Sequence, residues 1–149
     1  MKTLSLQQPW ALLVVLGAKR YETRSWQTSH RGPLAIHASS RVPPGALALC
    51  AAEPFRTLFR QAGYPDGVGL PAGAVIGVID LVDCRAVEEV RDLDPAERAV
   101  GDFRPGRWAW LLARPRRLLV PVPFRGRLGV FDGPDLPPDL LAHPSQESA

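Results

Sequence analysis

Between Gly17 and Arg24 the chain carries an amine, a carboxylate and a guanidinium on Lys19, Glu22 and Arg24, with Tyr21 and Trp26 beside them. Those groups suit gripping a polar ligand. Arg offers a planar fork to phosphate or carboxylate, Trp26 offers a stacking face, and Glu22 accepts from an amino group. Sixteen of the eighteen basic side chains are Arg, and Lys2 and Lys19 are the two exceptions. The amine at 19 therefore carries information, because only an amine can be desolvated into a neutral nucleophile or base at ordinary pH. A strand period puts Arg20, Glu22, Arg24 and Trp26 on one face and Tyr21, Thr23 and Ser25 on the other. Regular β geometry would send residues 19 and 22 to opposite faces, so a turn or bulge must bring them together. An exposed ion pair of small energetic worth is the other reading of Glu22 and Arg24.

Further residues are candidates for the same site. The four tryptophans fall in two places, Trp10 and Trp26 near the cluster and Trp108 with Trp110 later. Aromatic planes beside Arg are common equipment for binding unstacked bases; burial in the core is the alternative for Trp10 and one of the late pair. Gln8 and Trp10, at the opening of a helix, and Trp110 join the candidate ligand contacts. His37, followed by Ser39 and Ser40, is either a ligand or acid–base group or a histidine hydrogen-bonded inside the fold. Asp80 and Asp83 close an apolar strand, where they would serve a site at its mouth or sit in a turn. Arg114, Arg116 and Arg117, with Arg104, Arg107, Arg125 and Arg127, form a phosphate-attracting flank or a solvated face. No nucleophile–base motif and no phosphate-cradling Gly loop is legible. Three scattered histidines and two distant cysteines make no metal site, and no cofactor is implied.

The elements that must position these groups are short. Thr3–Leu6 reads as a strand. Pro9 then opens an apolar helix that runs to Leu16 and stops at Gly17. Residues 19–26 and Pro33–Ala38 are strands, with Leu34 and Ile36 facing one way and Ala35 and His37 the other. A helix over 46–61 is interrupted at Pro54, and Gly63–Gly73 is an irregular loop. Ala74–Val82 suits a central strand buried on both faces. Asp94 and Glu97 have the spacing of a capping box for a helix to about Val100. Trp108–Leu112, Leu118–Val122 and Arg127–Phe131 are extended pieces. The Pro-rich stretch 134–149 is a tail with one helical turn at 138–142 and disordered last residues, so residues 1–133 form one domain.

With 149 residues the chain can build one hydrophobic core. Its longest apolar run, Ala11–Leu16, is too short to cross a bilayer, and the first ten residues lack the plan of a signal peptide. Two isolated cysteines point to a reduced, cytoplasmic setting without disulfides. The net charge of +3 excludes neither nucleic acid nor small ligands as partners.

The run Gly17-Ala-Lys19-Arg-Tyr-Glu22-Thr-Arg24 resembles the G-x-K-x-x-E-x-R signature of the ASCH domain, a relative of the PUA RNA-binding domains. The strings LSLQQPWA, ETRSW, RGPLAIHAS and GDFRPGRWAWLLARPRRL…VPFRGRLGVF are similar to the same family, especially its stand-alone bacterial and phage members. The resemblance covers residues 3–131. It implies an α+β fold, a small mixed PUA-like β-barrel with flanking helices, and a cleft holding Lys19, Glu22 and Arg24 beside the opening helix. It also implies RNA or nucleotide binding. Some similar proteins hydrolyse the amide of acetylated cytidine, and others have been proposed to cut RNA. In the amidohydrolase branch the motif lysine works with a threonine three residues on and a distant glutamate. Here Glu22 occupies the threonine position, and Asp80 or Asp83 is the nearest substitute for the distant acid.

Three functions follow as expectations. The first is a binding module for RNA, a nucleotide or a nucleoside. The second is a metal-independent hydrolase or ribonuclease in which Lys19 acts as base or nucleophile activator and Glu22 relays the proton. The third is a protein-interaction domain of coactivator type, which predicts an exposed apolar patch and no cleft at Lys19. The oligomeric state is not encoded legibly.

Overall fold

The computed structural model describes residues 1–91 and 93–137. Strand β1 (Lys2–Leu6) sends Leu4 and Leu6 into the core and turns Thr3 and Ser5 to its other face. Helix α1 (Trp10–Val15) is buried at every position from Ala11 to Val15, as a helix apolar all round must be. Pro9 stands at its N-cap, one position outside the first turn. Gly17, at φ 81°, turns the chain out of the helix in a conformation that favours glycine.

The remaining strands are β2 (Tyr21–Arg24), β3 (Gly32–Ala38), β4 (Ala74–Ala86), β5 (Trp108–Pro123) and β6 (Val130–Asp132). They form one six-stranded sheet in the order β2-β5-β4-β3-β1-β6, in which β1 and β3 run parallel and every other pair is antiparallel. Register shifts interrupt the β4–β5 ladder at three places. Extra residues of this kind bend a strand and raise its twist, and the long central pair curls accordingly. The fold is thus α+β, as expected, one mixed and curled six-stranded sheet with helices beside it. Helix α2 (Phe55–Gln61) adds Phe55 and Phe59 to the core, and α3 (Pro95–Ala99) flanks the sheet. No helix among the described residues is long and apolar enough to cross a membrane.

Several elements differ from the sequence reading. The 46–61 helix divides at Pro54 into a 3-10 turn, Ala46–Ala51, and α2. The pieces 108–112 and 118–122 are one sixteen-residue strand. The arginine run between them has no apolar period, yet Arg116 and Arg117 pair with Val78 and Gly77 of β4, so the ladder supplies what the pattern lacks. Strand β2 ends at Arg24, which removes Trp26 from the face it was expected to share. The expected helical turn at 138–142 and the chain's last residues lie outside the described residues.

Candidate functional site

The turn after α1 fixes the amine. Backbone N–H groups of Ala18 and Lys19 both donate to the carbonyl of Leu13, at 3.0 Å each, so the lysine backbone is tied to the helix end. Its side chain is 3% exposed. The Nζ folds back to donate to the carbonyl of Tyr21 and lies 3.8 Å from Glu22 Oε1. Folding back is what brings residues 19 and 22 together against strand parity. The other carboxylate oxygen, Glu22 Oε2, lies 3.8 Å from Arg24 Nη2, and that guanidinium also donates to the carbonyl of Ser5 at 3.2 Å. One carboxylate therefore bridges two cations, leaving the trio with one positive charge in excess.

These head groups line an open cleft of about 950 Å³. One wall is the segment around Val100–Asp102 with Arg107. It docks on β2 through Thr23, whose Oγ1 accepts from the Asp102 N–H at 3.1 Å and whose carbonyl accepts from Arg107 Nη2 at 3.1 Å. The Arg104 guanidinium donates to both oxygens of Asp102, at 2.8 and 2.6 Å, and holds that carboxyl down at a pKa of about 2. The opposite wall is the segment Phe124–Gly129. His37 Nε2 lies 2.6 Å from the carbonyl of Phe124. A carbonyl only accepts, so Nε2 carries a proton, and Nδ1 is hydrogen-bonded to the Ser5 hydroxyl at 2.9 Å.

Behind the floor stands Glu97. Asp94 caps α3 by accepting from the Glu97 N–H at 2.8 Å, but the reciprocal half of a capping box is missing. The Glu97 carboxyl turns inward instead and accepts from the Arg20 N–H at 2.6 Å. Glu97 is 3% exposed, and its Oε2 has no hydrogen-bond partner among the described residues. Burial pushes its pKa up, against the opposing pull of the Arg20 N–H and the Lys19 charge.

Of the nine candidate ligand contacts read from the sequence, six face the cleft, Trp10, Lys19, Glu22, Arg24, His37 and Ser39, and Arg107, Arg125 and Arg127 of the basic flank line it too. Three of the nine do not. Gln8 is fully buried and structural, its Oε1 accepting from the Leu12 N–H and its Nε2 donating to the carbonyl of Pro71, both at 3.0 Å. Trp110 is fully buried, donates to the carbonyl of Trp26 at 3.3 Å, and has no ring face left for a ligand. Trp26 packs edge-on against it at 4.9 Å, 37% exposed and outside the cleft. Asp80 pairs with Arg114 and Arg116, and Asp83 with Arg31 and Arg85, both away from the cleft. The buried acid nearest Lys19 besides Glu22 is Glu97, which sequence reasoning assigned wholly to helix capping. Ser5 and Thr23 were also missed as cleft residues; no spacing rule joins them, because two separate strands, β1 and β2, carry them. No group of three or more His, Cys, Asp or Glu among the described residues is arranged to hold a metal ion.

The family model described as the ASCH domain matches residues 4–122. Human activating signal cointegrator 1 is 32% identical to this chain over 124 residues, which is 83% of this chain and 20% of the human protein. The mouse protein of the same name gives the same figures. The chain thus spans about a fifth of the length of these relatives. Among solved structures, the ASCH protein of Zymomonas mobilis aligns with a TM-score of 0.48 at 17% identity, covering 82% of this chain and 72% of that one. A point variant of it aligns with a TM-score of 0.44 at 17% identity, over 82% and 74%.

Proposed function

This chain belongs to the ASCH domain family, and from that premise we propose that its cleft binds RNA or a nucleotide. The observation that carries the reading is the bridging position of Glu22 between Lys19 and Arg24 at the cleft floor. Arg24 and Lys19 meet phosphate or a base carbonyl, Glu22 accepts from a base amino group, and Trp10 supplies the stacking face. The contacts to Glu22 are loose at 3.8 Å, so an incoming phosphate can compete with that carboxylate for both cations. The test is a titration of RNA and of nucleotides against the protein and its Lys19→Ala and Arg24→Ala variants. Loss of roughly tenfold or more in affinity for each variant is expected, since charge-assisted bonds contribute about 1.5–3 kcal/mol. Unchanged binding in both variants overturns the reading.

A second reading, metal-independent hydrolysis of a modified nucleoside such as acetylated cytidine, is favoured by one observation. The Lys19 ammonium lies 3.8 Å from Glu22 and its charge also acts on the buried acid Glu97, and an amine with acids near it is suited to proton transfer. Water adds to the acetyl carbonyl, the C–N bond breaks, and acetate and the free amine leave, with Lys19 and Glu22 moving the protons. Turnover above a Lys19→Arg control is the expected result, and none sinks it. The coactivator-type reading, an interaction domain like that suggested by the relatives' name, draws less support, because Lys19 opens onto a cleft.

A further inference from the structure

Building on the cleft as a nucleic-acid site, we propose that Phe124–Gly129 is a rim that grips the phosphates of a single RNA strand, so the ligand is a polynucleotide rather than a free nucleoside. Arg125 and Arg127 are exposed, line the cleft, and enter no ion pair among the described residues. Arg85, Arg104, Arg107, Arg114 and Arg116, by contrast, each lie against a carboxylate of Asp83, Asp102 or Asp80. The floor already sets Lys19 and Arg24 toward a ligand. Two additional unpaired guanidiniums at the lip provide for more phosphates than a mononucleotide brings.

The rim presents these charges from a fixed base. Phe124 accepts from His37 at 2.6 Å, and its ring stacks on Phe131 with centroids 6.3 Å apart and an interplanar angle of 11°. Between the two arginines, the backbone of Gly126 lies so close to the wall that a Cβ there would stand 2.8 Å from His37 Cε1 and 3.1 Å from Ser5 Oγ. Leu128, 99% exposed, adds an apolar contact at the same lip. Trp10 on the cleft wall is a stacking surface for an unstacked base, which a strand offers and a duplex does not.

The test uses the full chain, fluorescence anisotropy with a labelled single-stranded oligoribonucleotide about twelve nucleotides long, a duplex of the same length, and cytidine monophosphate by calorimetry. An Arg125→Ala/Arg127→Ala double variant is expected to lose roughly tenfold or more in strand affinity at low salt and to flatten the logarithmic salt dependence by about 1.4. Its mononucleotide affinity should fall by less than its strand affinity, and its melting temperature should match the parent because both side chains are exposed. An Arg125→Lys/Arg127→Lys variant should keep most of the salt dependence. Retained strand affinity and slope in the double alanine variant, with loss in Lys19→Ala, overturns the rim and leaves the cleft reading standing. The reverse pattern supports the rim and overturns the cleft reading. A duplex bound as tightly as the strand, or a parent protein that binds no strand, overturns the rim.

Discussion

The carboxylate of Glu97 accepts a hydrogen bond at 2.6 Å from the backbone N–H of Arg20, 77 residues earlier in the chain. That bond ties α3 to the turn that carries Lys19, and it draws an acid into an apolar interior. Burial raises the pKa of Glu97 above its ordinary 4.5, so the folded protein holds the carboxyl's proton more firmly than the unfolded chain does. The contribution to stability is then fully present below 4.5 and is lost as pH rises through the folded value. Glu97→Gln keeps an acceptor of the same shape and removes the titration. Denaturant midpoints from pH 4 upward should therefore fall for the parent relative to the Gln variant. A constant difference between the two proteins would show that Glu97 does not titrate in that window.

A related outcome concerns removal of the acceptor altogether. Glu97→Ala leaves the Arg20 N–H without its partner in a partly buried turn. A stability loss of about 1–3 kcal/mol is expected, the usual consequence of an unsatisfied buried donor, measurable by urea unfolding. The Gln variant should stay well above the Ala variant at pH 7. Equal losses for both would assign the effect to the charge and not to the hydrogen bond.

How much of this was readable beforehand depends on the distance over which each feature is decided. Local signals were legible: the all-round apolar run of α1, the Gly17 stop, the strand at Thr3–Leu6 and the Asp94 cap all depend on neighbours within a turn or two. The Lys19–Glu22–Arg24 trio was legible as a cluster for the same reason. Trp26 was misplaced because strand parity was extended two residues past the end of β2, and Trp110 because an aromatic on a strand looks alike whether it faces ligand or core. Glu97 was hidden by an ambiguity of chemistry. An acid three residues after Asp94 fits a capping box, and only the fold reveals that its carboxyl reaches Arg20 instead. Thr23 and Arg107 meet through hydrogen bonds 84 residues apart, beyond the range of any spacing rule.

Asp102 provides a prediction of opposite sign. The Arg104 guanidinium holds its carboxyl at a pKa of about 2, below the ordinary 3.8. Its contribution to stability is present above 3.8 and disappears as pH falls toward 2. Carboxyl NMR should show Asp102 titrating near that value, and Arg104→Ala should return the midpoint toward the ordinary carboxylate range. A midpoint unmoved by Arg104→Ala would mean that the bidentate pair does not persist in solution.

Gly77 marks where α1 lies against β4. A Cβ at that position would stand 2.6 Å from Val15 Cγ1 and 2.7 Å from the carbonyl oxygen of Arg116. The side chain can shift only into a full core, and the carbonyl belongs to the paired β5 backbone. Gly77→Ala should cost about 2–3 kcal/mol by overpacking. Adding Val15→Ala should recover part of that loss and no more, because the Arg116 contact remains. Full recovery in the double variant would locate the clash entirely in the helix.

Gly126 is the corresponding test of the cleft wall. Its φ is not in the left-handed region, so a methyl group there is opposed by contact alone. The opposing atoms are His37 Cε1 at 2.8 Å, His37 Nδ1 at 3.1 Å and Ser5 Oγ at 3.1 Å. His37 is 1% exposed, with one ring nitrogen committed to Phe124 and the other to Ser5, so it can retreat only by giving up a hydrogen bond. Gly126→Ala should lower stability by about 1–2 kcal/mol and should speed amide exchange across 124–129, since the wall must move when the ring does not. Asp94→Ala supplies the scale, because loss of an N-cap costs about 1 kcal/mol at a site remote from His37 and should leave exchange in 124–129 unchanged. If Gly126→Ala matches the parent in both melting temperature and exchange, the segment does not rest on His37 in solution, and the two arginines it carries are not held at the lip.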